Sequence, residues 1–159
     1  RTNSDLVLNS ISMAIMMLTG LAVGWRVNSS PLEFLAGIAL LLLFSYAFSW
    51  VMALLGMSVK TPEVINNASF MILFPLTFIS NAFVPSDTLP LVLRVFAEWN
   101  PVSSLVQAAR ELFGNVGSAP VPDIWTMQHP VLTVLIGIAV MLVVFVPWSV
   151  NKYTRISAK

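Results

Sequence analysis

NAFVPSDTLPLVLRVFAEWNPVSSLVQAARELFG, residues 81–114, decides how this chain is built. It lies between two long apolar runs, where a membrane protein would ordinarily carry a plain loop. The stretch instead predicts two short helices parted by Asn100-Pro101, with prolines before and a glycine after. Pro85 ends the preceding run, and Ser86-Asp87-Thr88 is a short polar turn. Leu89–Trp99 is apolar apart from Arg94 and Glu98, which stand four apart on one helix face. Arg before Glu is the less favourable order, and the pair is expected to mark the wet side of this helix. Asn is a good N-cap and Pro suits the first helical position, so Asn100-Pro101 starts a second helix. In it Val102, Leu105, Val106, Ala109, Leu112 and Phe113 form an amphipathic stripe, with Ser103, Ser104, Gln107, Arg110 and Glu111 on the other face. Gly114 closes it as a C-terminal cap. Neither helix approaches the roughly 20 residues that a span needs. Non-helical backbone survives at membrane depth only when buried in protein or lining a wet cavity. The Asn100-Pro101 break therefore either stays at the interface or faces a cavity.

Working outward, the chain is 57% hydrophobic and 9% charged, with mean hydropathy +0.86. A soluble domain carries about 25% charged residues, so composition reads as an all-α integral membrane protein. A net charge of +1 and the lack of a basic patch argue against nucleic acid as a partner. The absence of cysteine excludes disulfides and thiolate metal sites.

Four apolar runs are expected to be transmembrane helices, at about residues 6–27, 32–59, 64–84 and 130–150, in one domain covering 1–159. The hairpin, about 86–114, sits between the last two. Trp25 and Arg26 end the first run as an interfacial pair. Asn28-Ser29-Ser30-Pro31 is a tight turn that makes the first two runs antiparallel neighbours. Thr61-Pro62-Glu63 reads as N-cap, first helical proline and first-turn acid. Trp148, Lys152, Tyr153 and Arg155 anchor the exit of the last run. Four spans put both termini on one side. With termini inside, Arg1, Lys60, Lys152, Arg155 and Lys159 face Arg26, Arg94 and Arg110 outside, five against three. That bias favours cytoplasmic termini and an extracytoplasmic, re-entrant hairpin. Asn115–Gln128 reads as an irregular external connector containing Pro120, Pro122 and Asp123.

Other features carry less. Gly20 and Gly24 form a G-x-x-x-G, either a close contact between helices or ordinary packing. Pro75 removes a backbone donor mid-run and should kink the helix. Thr77, Ser80 and Asn81 follow it and would suit a cavity wall, or simply bond back to the backbone. Asn66, Asn67 and Ser69 read as a solvated end. Phe34, Phe44, Tyr46, Phe48 and Trp50 face lipid or line a substrate path. His129, with no companion ligands, is no metal site. Enzyme chemistry fails for want of G-x-S-x-G, H-E-x-x-H or paired carboxylates within a span.

The ordered series Pro75, Ser80-Asn81-Ala82-Phe83-Val84-Pro85, Leu89-Pro90, Glu98-Trp99-Asn100-Pro101-Val102, Arg110-Glu111-Leu112-Phe113-Gly114 resembles the ABC-2 type transporter permeases. It is most similar to the daunorubicin-resistance (DrrB-like) exporter subunits of actinobacteria. The resemblance implies a six-span permease of which this chain holds the C-terminal portion, spans three to six, with the coupling helix before Arg1. It implies a dimer with a second permease copy or paralogue in the cell membrane. Such a dimer exports a lipophilic drug, lipid or glycoconjugate. The chain lacks G-x-x-x-x-G-K-[ST], so ATP and Mg would be handled by a separate ABC ATP-binding subunit. Candidate residues of the translocation path or outer gate are Pro75, Thr77, Ser80, Asn81, Pro85, Arg94, Glu98, Asn100, Pro101, Arg110 and Glu111. Gly20 and Gly24 are candidates for helix packing. The alternative is a membrane assembly or anchor protein that transports nothing.

Overall fold

Ser30 begins the longest stretch of uninterrupted apolar helix through a reciprocal capping box. Its hydroxyl accepts from the Glu33 amide (3.3 Å) while the Glu33 carboxylate accepts from the Ser30 amide (2.9 Å). The helix that follows, α2 (Pro31–Ser58), is preceded by α1 (Thr2–Val23) and antiparallel to it. Gly24 ends α1 at φ +111°, a conformation glycine adopts freely. Arg26 caps that end, donating through Nη1 to the carbonyls of Leu21 (2.7 Å) and Trp25 (2.9 Å). The computed structural model describes residues 2–59, 61–117 and 121–157. Arg1, Lys60 and Lys159 of the charge count and Pro120 of the connector lie outside the described residues.

The third helix, α3 (Pro62–Phe78), is shorter than the run at 64–84 suggests. Its 17 residues cover about 25 Å at 1.5 Å each, against a hydrocarbon core of about 30 Å. The helix stops one turn after Pro75. Ser80 bonds back to Thr77 and Phe83 to Ser80, so the chain turns over Ile79–Val84 instead of continuing. Thr61 is the N-cap residue by position, but its side chain makes no capping bond. A 3-10 turn (Ser86–Thr88), α4 (Leu91–Trp99) and α5 (Pro101–Leu112) follow. The connector is less irregular than its composition suggests, because Trp125–Gln128 forms a helical turn, α6. The last helix, α7 (Pro130–Ser157), continues through Pro147 seven residues past the expected end at 150.

All regular structure among the described residues is helical. Three helices are long and apolar enough to cross a membrane, over Ser4–Val23, Pro31–Ser58 and Pro130–Arg155; Glu63–Phe78 is a shorter apolar helix. The centre is the junction of α2, α5 and α7, where Leu40, Phe44, Ala47, Ala108, Val134 and Ile138 are buried together. The small side chains of Ala47 and Ala108 let these helices approach closely. α2 and α7 run in the same direction. Ser149 donates to the Trp50 carbonyl (3.3 Å), and Lys152 donates to the Ser58 hydroxyl (2.6 Å). The outward faces of α1, α3 and α7 are covered with exposed Leu, Ile, Val, Met and Phe. A water-soluble surface would not tolerate so wide an apolar area, whereas lipid solvates it.

Candidate functional site

The hairpin helices are fastened at both ends to the same end of the bundle. α3 finishes there, and the α1–α2 turn lies there. The last carbonyls of any helix lack intrahelical partners. At the end of α3, Asn100 Nδ2 donates to the Leu76 carbonyl (2.7 Å), while Asn100 Oδ1 accepts from the Val102 amide (2.9 Å). One side chain thus terminates α3 and initiates α5. Beside it, Ser103 Oγ accepts from the Asn81 amide (2.9 Å). At the far end of α5, Ser29 Oγ donates to the Leu112 carbonyl (2.6 Å) and the Asn28 amide to the Phe113 carbonyl (3.0 Å). Gly114 makes that junction possible: it sits at φ +67°, and a Cβ there would lie 2.6 Å from Asn28 backbone atoms. Phe113 is wedged between Trp25 and Phe34, with ring centroids at 5.7 and 5.6 Å. Its edge fills the space that Gly37 leaves by lacking a side chain.

The burial of α5 does not follow its amphipathic stripe. Ser103 (0% exposed), Ser104 (1%), Gln107 (4%) and Ala108 (0%) are the buried residues. Of the apolar stripe Phe113 is buried, Leu105 and Leu112 pack half-buried against the core, and Val102, Val106 and Ala109 are half-buried; on the polar face Glu111 is exposed. Small and polar residues turned towards neighbouring helices are the pattern of packing within a membrane, where the outward face meets lipid rather than water. Gln107 Nε2 donates to Glu111 Oε1 (3.2 Å), whereas Ser104 Oγ has no partner.

Glu98 also departs from its expected role at the wet side of α4. It is buried at 4% exposure and bonded to Arg94 Nε (2.8 Å), which is half-exposed. The hydrogen bond to Glu98, and next the charge of that carboxylate, raise the Arg94 pKa above its usual value. Beside it α6 packs against α4. Thr126, itself buried, donates to the Glu98 carbonyl (2.7 Å).

An open cleft of about 790 Å³ lies between the 81–88 segment, α4, α5 and the start of the connector. Asn81, Pro85, Arg94 and Arg110 line it, with Asp87 and Gln107. Of the other candidates, Ser80 and Asn100 are buried in the α3–α5 joint and Glu98 lies behind Arg94. Pro101 and Glu111 are exposed, and Pro75 and Thr77 sit half-buried in the last turn of α3. Gly20 rests against the Trp25 side chain, and Gly24 has no atom within reach. Sequence reasoning passed over Ser29, Gly37, Ser103, Gln107 and Thr126 as parts of this assembly. The signal that could have found some of them is the cluster Ser103, Ser104, Gln107 and Ala108, small and polar residues on one face of a membrane helix.

This arrangement of apolar helices closed at one end by a polar-cored hairpin belongs to the ABC-2 type transporter family, whose model matches residues 1–113. The chain is a multi-pass membrane protein of that family. It is 30% identical over 155 residues to the daunorubicin resistance ABC transporter permease protein DrrB1 of Streptomyces coeruleorubidus. That match takes in 97% of this chain but only 51% of the relative, so the chain spans about half of its length. No solved structure matches.

Proposed function

We propose that the chain is the translocating part of an exporter in the cell membrane, with cytoplasmic termini and the hairpin at the extracytoplasmic face. It moves a lipophilic drug, lipid or glycoconjugate outward. A separate ABC ATP-binding subunit supplies the energy by hydrolysing ATP with Mg, and a second permease copy or paralogue completes the pathway. The observation that carries this reading is the burial of Ser103, Ser104 and Gln107 on α5 against neighbouring helices. A hairpin at the water surface would show the opposite. Phe113 touches α2 at Gly37, six residues beyond Pro31. At 1.5 Å per residue that is about 9 Å along α2, which supports a re-entrant rather than a surface hairpin. Ser80, Asn81, Asn100 and Ser103 then form the joint of an outer gate, and Arg94 and Arg110 face its mouth. The relative's association with daunorubicin resistance supports drug efflux among the three substrate classes. Copurification from the native membrane tests the reading. An ATP-binding subunit should accompany the chain, and lipophilic compounds should raise its ATP hydrolysis. A chain that purifies with no such subunit overturns it.

A further inference from the structure

Phe70, Phe74 and Phe78 on one side of α3, and Phe83 just beyond its end, follow one another ring to ring and lead to the cleft. Ring centroids lie 5.4 Å apart for Phe70 and Phe74, 4.5 Å for Phe74 and Phe78, and 5.4 Å for Phe78 and Phe83. All four rings are exposed. From Phe70 to Phe78 the ladder covers about 12 Å of helix, and Phe83 extends it to the cleft wall. At its upper end Arg94 and Arg110 enter the cleft against one carboxylate in the lining, Asp87. Arg94 uses Nε on Glu98, which leaves its terminal nitrogens, and Arg110 makes no ion pair among the described residues. The guanidinium fork matches phosphate oxygens in geometry and in charge.

We infer that this cleft and the phenylalanine ladder together bind one anionic phospholipid, its phosphate between Arg94 and Arg110 and an acyl chain along Phe83, Phe78, Phe74 and Phe70. Each half has a separate reason. A free anion would use the arginines but has no use for a dry aromatic track. A neutral lipid would use the track but bring no anion to Arg110, which makes no ion pair among the described residues. The site rests on the hairpin lying at a membrane face, and not on transport, so it can hold where the exporter reading fails.

The test is native mass spectrometry of the full-length protein released from phosphatidylcholine nanodiscs containing phosphatidylglycerol, with no ATP-binding subunit present. The wild type should retain one phosphatidylglycerol. Arg110→Gln should lower retention about tenfold and Arg110→Lys no more than about threefold, while Phe74→Ala with Phe78→Ala should favour an eight-carbon over an eighteen-carbon chain. Retention unchanged in Arg110→Gln overturns the site. Glycerol 3-phosphate competing as well as the lipid also overturns it, since the cleft would then hold a free phosphate. Equal loss in Arg110→Lys and Arg110→Gln would make the effect structural and overturn it as well.

Discussion

Replacing Gly114 with alanine should loosen the hairpin from the bundle, and the structure gives the size of the effect. Two costs add. The residue sits at φ +67°, where an L-residue other than glycine is less favourable by about 1–2 kcal/mol. A Cβ would also lie 2.6 Å from the Asn28 carbonyl carbon and oxygen and 2.9 Å from the Ser29 amide. Those are backbone atoms that no rotamer change can move. The α1–α2 turn must retreat, which lengthens the bonds from Asn28 to the Phe113 carbonyl and from Ser29 to the Leu112 carbonyl. Hydrogen bonds between membrane helices average about 0.6 kcal/mol each. The sum is about 2–3 kcal/mol, or roughly thirty- to a hundred-and-fortyfold in the folding equilibrium. Gly117→Ala is the control, since nothing lies within 4 Å of a Cβ there. Gly114→Asn separates the two costs, because asparagine tolerates the left-handed region but still carries a Cβ. Reversible unfolding in mixed micelles should rank the variants wild type, Gly117→Ala, Gly114→Asn and Gly114→Ala, from most to least stable. Gly114→Ala as stable as Gly117→Ala would refute the close approach of the hairpin to the α1–α2 turn.

Asn100→Ala removes both the cap of α5 and the bond to Leu76, and should cost about 1–2 kcal/mol in the same unfolding assay. Asn100→Asp keeps the acceptor for Val102 but loses the donor to Leu76, so it should fall between wild type and alanine. In reconstituted export, Asn100→Ala combined with Pro101→Ala should reduce transport more than the amount of protein inserted; equal losses would make the motif purely structural. Arg94→Met strands a buried carboxylate whereas Glu98→Gln leaves a half-exposed cation, so the first should lower the melting temperature more. Single cysteines introduced into this cysteine-free chain should report the faces of α5. Ser103→Cys and Ser104→Cys should resist a water-soluble maleimide that labels Glu111→Cys readily, and rapid labelling at 103 would contradict their burial.

The helices were legible because hydropathy and capping residues are local signals. Asn100-Pro101 begins α5 and Gly114 follows its end where the residue types require it, and the tight Asn28–Pro31 turn makes α1 and α2 neighbours. The end of α3 was misread because Ile79–Val84 remains largely apolar while its backbone already turns. Hydropathy does not register where a chain stops being helical. The orientation of α5 was not legible for a deeper reason. An amphipathic stripe shows that a helix has two different faces, but which one turns inward depends on the solvent. Water buries the apolar face, whereas lipid permits Ser103, Ser104 and Gln107 to be the packed side. The contact at Glu98 was hidden because Thr126, which donates to its carbonyl, lies 28 positions away.

The joint at Asn100 has a mechanical consequence. α3 lies lightly against the rest of the bundle, and two long-range bonds, Asn100 to Leu76 and Ser103 to Asn81, fasten its far end to α5. A tilt of α3 must drag the start of α5 with it or break those two bonds. At about 0.6 kcal/mol apiece they restrain the joint by less than a factor of ten. A linkage of that strength transmits small displacements faithfully and releases under larger ones. It behaves as a slip coupling between a loosely held lever and a firmly seated cap.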